Sequence, residues 1–298
     1  MTLDQIQVFL AVAEKGSLSA ASKTLGRSQP TLSVALKNLE EQLGVLLFSR
    51  EGYRMSLSQV GEQLLPQAHF LLQQASAFER SGKYFSKGFE PELRVSIDPM
   101  IPLRPILEVL KSFEQRYQQT QLTLVSQYMS GGVEKLLSEE VDLAFVALPE
   151  EQEPIESFQV GQVAVRNLIS PQFSLNQGVG PITLDQLRTQ PQIIIKDSAA
   201  HPSETQFNVL EAGRRWSVTD AQTKKELILA GMGWGSLPLH LVNNELEAGS
   251  LVPLKVTGFS VLTTIPAYLA KKKGGHLAPV ALELWKEFQR RSAQPGSL

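Results

Sequence analysis

The sequence predicts a three-part chain: a winged helix-turn-helix over residues 1–57, one long helix over 58–87, and a two-lobed α/β domain over 88–298. Three observations predict it. Three short helical patterns, broken by Gly16-Ser17 and by Gly26-Arg27-Ser28, fill the first 44 residues. A 3-4 rhythm of apolar and small residues then runs unbroken from Gly61 to Phe85. Beyond it, apolar runs of strand length alternate with amphipathic helical stripes.

The first helix carries Ile6, Phe9, Leu10 and Ala13 on one face at helical spacing. Gly16 stops it and Ser17 caps the next, whose Ala20, Ala21 and Leu25 allow close helix approach. Ser28 caps a third helix with Pro30 in its first turn, where a missing N–H is harmless, and Gly44 ends it. Leu32, Leu36, Leu39 and Leu43 bury one side of this helix. Two helices joined by a three- or four-residue turn make a helix-turn-helix. The segment from Leu46 to Leu57 alternates around Glu51-Gly52 as a small hairpin, the wing. Lys15, Lys23, Arg27, Lys37, Arg50 and Arg54 stand against Glu40, Glu41 and Glu51 over residues 15–54, a local excess suited to touching phosphates at a few points. Ser28 places Gln29, Thr31 and Ser33 near base edges, and Arg27 or Lys37 near phosphate.

Ser58 caps the long helix, which Pro66 bends or briefly breaks near its start. Its length is about 43 Å at 1.5 Å per residue. Leu64, Ala68, Leu71, Ala75 and Phe78 form a coiled-coil seam that wants a partner helix, so the chain is expected to dimerise through it.

Strands near 93–97, 122–126 and 141–147, with helices between them, predict a parallel sheet with crossovers. A second lobe follows from about Gly161, with strands near 162–169 and 192–196 and a helix near 223–230. A last strand around 265–270 and a closing helix complete the chain, giving lobe I as 88–160 with 266–298 and lobe II as 161–265. Two α/β lobes invite a ligand between them, beyond strand ends. The expected lining is Asp98, Pro99, Met100, Ser130, Gly131, Lys196, Asp197, Ser198 and Thr219. Helix starts near Pro102 and Ser130 favour an anion, while Asp98 opposes one. The expected effector is therefore either an uncharged or amine-bearing small molecule, or a carboxylate that binds only when Asp98 is protonated or paired with Lys196.

Several chemistries are excluded. There is no cysteine, so disulfides, thiolate nucleophiles and cysteine redox sensing are absent. The four histidines have no metal-ligand spacing, and neither a metal nor a cofactor is expected. The run Ala230-Gly-Met-Gly-Trp-Gly-Ser-Leu-Pro follows a helix rather than a strand, which is the wrong order for a dinucleotide fingerprint. Asp142 has no paired base in sequence and reads as structural, so no enzyme activity is expected. The net charge of −2 gives no global polycationic signature, which weighs against nucleic-acid binding less than the local excess weighs for it. The lack of a long apolar run and the lack of a basic leader fit a cytoplasmic protein without a membrane segment.

The stretch from Phe9 to Ser33, FLAVAEKGSLSAASKTLGRSQPTLS, and its continuation Leu39-Glu-Glu-Gln-Leu-Gly-Val-Leu-Leu-Phe-Ser-Arg resemble the DNA-binding domain of LysR-type bacterial transcriptional regulators. The match is dense over residues 3–61, and beyond them it is one of architecture. The resemblance implies an effector domain like the type 2 periplasmic binding proteins. It also implies dimers or tetramers on paired double-stranded DNA operator sites, with a small molecule in the cleft altering DNA bending and contact with RNA polymerase. Val34 and Asn38 depart from the family pattern, where basic residues are common, as does Asp98-Pro-Met at the first strand's end. The alternative within this architecture is a regulator that answers to pH or ionic conditions; a solute-binding protein or an enzyme with an accessory domain fits less well.

Overall fold

The computed structural model describes residues 1–49, 55–147, 154–177, 182–202, 208–257 and 262–292. It divides into two compact units, Met1–Lys87 and Gly88–Leu298.

The first unit holds α1 (Leu3–Lys15), α2 (Leu18–Leu25), α3 (Gln29–Leu43), the strands β1 (Phe48–Ser49) and β2 (Ser56–Leu57), and α4 (Gln59–Phe85). Its boundaries are set by local chemistry. Thr2, Ser17, Ser28 and Ser58 cap the four helices with side-chain oxygens, and Gly16, Gly26 and Gly44 end three of them in left-handed conformation. Val8, Phe9, Val12, Ala21, Leu32, Leu39 and Leu47 form the core. β1 and β2 pair antiparallel, Phe48 opposite Leu57. The turn of this hairpin, with Arg50 and Arg54, lies outside the described residues.

α4 is continuous through Pro66. Leu64 and Ala68 require a correction: both pack on the core of their own winged helix, and Ala68 is only 7% exposed. The expected seam is therefore not one uniform stripe. Its first turns are internal, whereas Leu71 (41% exposed) and Phe78 (82% exposed) have no cover within the unit.

The second unit contains β3 (Glu92–Ile97), α5 (Leu103–Arg116), β4 (Gln121–Ser126), α6 (Gly131–Leu137), β5 (Leu143–Ala147) and β6 (Ile155–Ile169). α7 (Leu184–Arg188), β7 (Gln192–Ile195), β8 (Arg215–Val218), α8 (Ala221–Leu229), β9 (Gly235–Pro238) and α9 (Asn243–Glu247) follow, then β10 (Val252–Pro253), β11 (Leu262–Lys272) and α10 (Pro279–Ser292). β4, β3 and β5 are parallel neighbours, and β5 continues into β11 and β6 by antiparallel pairing. The sheet is thus mixed. β6 and β11 run together from Ile155 opposite Lys272 to Arg166 opposite Leu262, with a bulge at Ala267/Tyr268. The expected lobe boundaries at 160/161 and 265/266 fall inside this continuous ribbon.

Each lobe has its own core. Leu93, Ile106, Phe113, Phe145, Leu284 and Trp285 belong to the first, and Leu168, Ile193, Ile228, Leu237 and Leu251 to the second. The glycine-rich segment before β9 is a packing device. A Cβ at Gly233 would lie 2.5 Å from the Pro191 carbonyl, and one at Gly235 would lie 2.7 Å from that of Ile193. Only glycine lets this backbone lie against β7.

Candidate functional site: a recognition helix and an interlobe cavity

α3 presents two faces. Leu32, Leu36 and Leu39 are buried, while Gln29, Pro30, Thr31, Ser33, Val34, Lys37 and Asn38 are exposed. Ser28 Oγ accepts from Thr31 N at 3.4 Å and lies 2.7 Å from Thr31 Oγ1, so this hydroxyl pair fixes the helix start. Two expected phosphate contacts are already paired in the free unit: Arg27 with Asp4 at 2.5 Å, and Lys37 with Glu41 at 3.6 Å. Both are solvent-exposed pairs of the kind that contribute little to stability. Glu40 has a different role from the surface acid that charge counting suggests. Its Oε1 accepts from Leu47 N at 2.7 Å and from Phe48 N at 3.3 Å, tying the helix to the wing. Val34 is an exposed apolar side chain on this face.

In the second unit a cavity of about 300 Å³ opens between the lobes. Asp98, Met100, Lys196 and Asp197 line it, as expected from sequence. Pro99, Ser130, Gly131, Ser198 and Thr219 stand outside its wall. Three of these hold the loops together instead. Ser130 N and Oγ both donate to Asp197 Oδ2, and Ser198 Oγ accepts from Tyr128 N at 2.9 Å. Gly131 is the place where Ser198 approaches closely, since a Cβ there would collide with Ser198 Oγ. Tyr128, Gln192 and Lys224 line the cavity without having been expected. Tyr128 Oη accepts from Ala221 N at the start of α8, at 3.0 Å. Gln192 bonds Asn208 O and Leu210 N with its amide. Asp142, by contrast, is structural: its carboxylate takes Arg94 N at 2.8 Å and the Arg94 guanidinium at 2.9 Å.

The expected pairing of Asp98 with Lys196 is corrected by the geometry. Lys196 is exposed and bonds Val218 O only through its backbone N–H, whereas Asp98 is 2% exposed. Asp98 instead accepts from Met100 N at 2.9 Å and Met129 N at 3.3 Å. Its carboxylate thus fastens the end of β3 to the loop after β4. Burial pushes the Asp98 carboxyl up to about 7, the backbone donors opposing and the nearby Asp197 adding to the rise. Burial alone brings the Lys224 ammonium down to about 7.

These shifts have opposite signs in stability. Folded Asp98 holds a proton that the unfolded chain has lost between about 4 and 7, so stability falls as pH rises through that window. Folded Lys224 lacks a proton that the unfolded chain keeps between about 7 and 10.5, so stability climbs there. The second unit is therefore expected to have a stability minimum near neutral pH, with limbs on the order of a few kcal/mol. All three tryptophans lie beyond residue 87, so urea midpoints followed by tryptophan fluorescence report on this unit. Asp98→Asn should flatten the acid limb only; a flat wild-type profile would contradict both burial effects.

Among the described residues no cluster of three or more histidines, aspartates or glutamates is placed to hold a metal, and no helix is long and apolar enough to cross a membrane.

Comparison with known proteins agrees with this architecture. Residues 3–62 match the model of the bacterial regulatory helix-turn-helix protein, lysR family, and residues 86–293 match that of the LysR substrate binding domain. The transcriptional activator AllS from Klebsiella pneumoniae is 30% identical over 252 residues, covering 84% of this chain and 93% of its own length. The transcriptional regulator YeeY from Escherichia coli is 26% identical over 259 residues, covering 85% of this chain and 83% of its own. The crystal structure of CbnR, a LysR family transcriptional regulator, is similar in fold, with a TM-score of 0.51 at 21% identity over 97% of this chain and 100% of that one. The two matched models together span nearly the whole sequence, and on that ground the chain belongs to the LysR family of bacterial transcriptional regulators, with a DNA-binding helix-turn-helix and a two-lobed effector domain.

Proposed function

We propose that the chain acts in the cytoplasm as a homodimer or tetramer. In this reading residues 1–57 bind a double-stranded operator, 58–87 join two copies, and the lobes 88–160 with 266–298 and 161–265 hold a small effector. Occupation of the cleft adjusts operator binding or bending, and with it contact with RNA polymerase. The observation that carries the reading is α3. Its capped start and its solvent-facing row of Gln29, Ser33, Val34 and Lys37 match what a major groove accepts.

The residues divide by role. Gln29 pairs with adenine, the Thr31 methyl meets thymine, and Arg27, Lys37, Arg50 and Arg54 neutralise phosphate. Gln29→Ala is expected to relax preference among operator variants by roughly 1–3 kcal/mol. Lys37→Ala is expected to weaken every sequence alike and to lower the salt slope by about one. Binding measured across operator variants at several salt concentrations checks both. Unchanged preference in Gln29→Ala would remove that residue from the base-reading set.

A second reading, in which pH itself biases the cleft, draws on Asp98 and Lys224. Both are moved to about 7 in one cavity that Lys196 and Asp197 also line. Operator affinity that changes between pH 6 and 8 in wild type, and in neither Asp98→Asn nor Lys224→Met, would favour it.

A further inference from the structure

Two lysines sit side by side on α8, and the fold treats them differently. Lys225 Nζ meets Glu245 Oε1 at 2.7 Å and the Leu241 carbonyl at 3.4 Å. Lys224 is 5% exposed and lines the interlobe cavity; its backbone N–H bonds Asp220 O, but its ammonium has no hydrogen bond or ion pair among the described residues. The cavity's acids are in the opposite condition. Asp98 accepts from two backbone N–H groups, and Asp197 accepts from Ser130 and from Ala199 N at 2.9 Å. The anions of this cavity have donors, and its buried cation has no acceptor.

A buried ammonium without a counter-charge is a costly arrangement. The packing nevertheless makes room for it. A Cβ at position 235 would lie 2.8 Å from Lys224 Cε, so Gly235 clears the passage for the lysine stem. The rest of the wall includes the apolar side chains of Met100, Ile194 and Ile265. We infer that the cleft takes a small monocarboxylate with an apolar body, its carboxylate on Lys224 Nζ and its body against Met100, Ile194 and Ile265. This rests on the reading of the cleft as an effector site. One carboxylate is favoured over two, because Asp197, and Asp98 above its raised pKa, share the cavity and oppose a second negative charge, with Lys196 at the exposed edge of the wall as the other cation. The cavity is at the small end of ligand sites. The ordinary state of Lys224, with its ammonium lowered by burial alone, accords with a site that waits for its counter-charge.

The test uses the full-length chain and its Lys224→Met variant, which keeps the length of the side chain and removes the charge. The probes are straight-chain, hydroxylated and aromatic monocarboxylates, each beside its primary amide and the dicarboxylate of equal length. Melting is followed by tryptophan fluorescence. At least one acid should raise the wild-type midpoint by several degrees more than its amide and its dicarboxylate do. Lys224→Met should melt higher than wild type without any probe and show no preference for acid over amide. The inference is overturned if no acid outperforms its amide, if Lys224→Met keeps the acid preference, or if that variant melts lower without probe. Operator binding on the same samples separates this inference from the reading beneath it. An acid that shifts melting and leaves operator binding unchanged keeps the monocarboxylate site and ends the effector reading. An operator response to an amide or a dicarboxylate, but to no acid, does the reverse.

Discussion

Gly61→Val is expected to unfold the DNA-binding unit and abolish operator binding while leaving the effector domain intact. Gly61 lies in the first turn of α4, where the helix crosses the strand entering the wing. A Cβ at this position would stand 2.1 Å from the Leu47 carbonyl oxygen and 3.0 Å from its carbon. Those are backbone atoms, and the backbone there is fixed from both sides. Leu47 N donates to Glu40 Oε1 at 2.7 Å, and the Leu47 carbonyl accepts from Ser58 N at 2.9 Å. Leu47 itself is fully buried in the core. The clash can be relieved only by pulling α4 away from β1, which breaks these bonds and opens the core that Ala68 closes. Overpacking of this kind costs about 3 kcal/mol or more, a large part of the stability of a unit this size. Gly82→Ala on the same helix is the control, since a Cβ there meets nothing within 4 Å. It should be neutral or stabilise by up to about 1 kcal/mol. Operator binding reports on the first unit, tryptophan fluorescence on the second, and far-UV circular dichroism melts follow the helices of both, so that loss of the first unit appears as missing amplitude beside an unchanged fluorescence transition. Operator binding at wild-type strength in Gly61→Val would show that the crossing is looser than described.

The contrast between Gly61 and its neighbours marks how far the sequence could be read. Caps and stops are local, which is why Ser17, Ser28 and Ser58, together with Gly16, Gly26 and Gly44, placed the helices of the first unit so closely. A 3-4 rhythm shows that a helix has a face to bury and says nothing about what buries it. Gly61, Leu64 and Ala68 share that rhythm with Leu71 and Phe78, yet the former face their own domain. The first half of β6 went unseen because Glu156, Ser157 and Gln159 make it polar, and only pairing with β11 reveals the strand.

The cleft divides in the same way. Asp98 and Asp197 follow strands that were legible as apolar runs, so their place near the cavity followed. Tyr128, Gln192 and Lys224 reach it through contacts between segments far apart in the chain. No local signal separates Lys224 from Lys225; the distinction lies in Gly235 passing one and Glu245 meeting the other. Lys196, the cation nearest Asp197 in sequence, turned out to be the exposed one.

Replacing Leu71 and Phe78 together by Asp is expected to separate the dimer and to lower operator affinity on the order of 100-fold or more, as two linked recognition helices become one. Leu71, Phe78 and Phe85 are exposed and stand seven residues apart, the interval that keeps one seam facing a partner. Beyond Leu72, none of the α4 side chains packs on the winged-helix core. In the proposed homodimer a second copy of the same stripe covers it. Two carboxylates in that seam would be desolvated without partners, which no close helix pair accommodates. The unit itself should fold as before, because both side chains are solvent-facing and such substitutions change stability by less than about 0.5 kcal/mol. Ala68→Asp behaves differently: it places a charge in the winged-helix core and should lower the melting point of the first unit rather than its mass in solution. Light scattering at several concentrations, circular dichroism melts and operator titration distinguish the two variants. A double variant with the mass and the operator affinity of wild type would mean that the α4 stripe is covered by something other than a second copy, and the dimer would have to be sought on the effector domain.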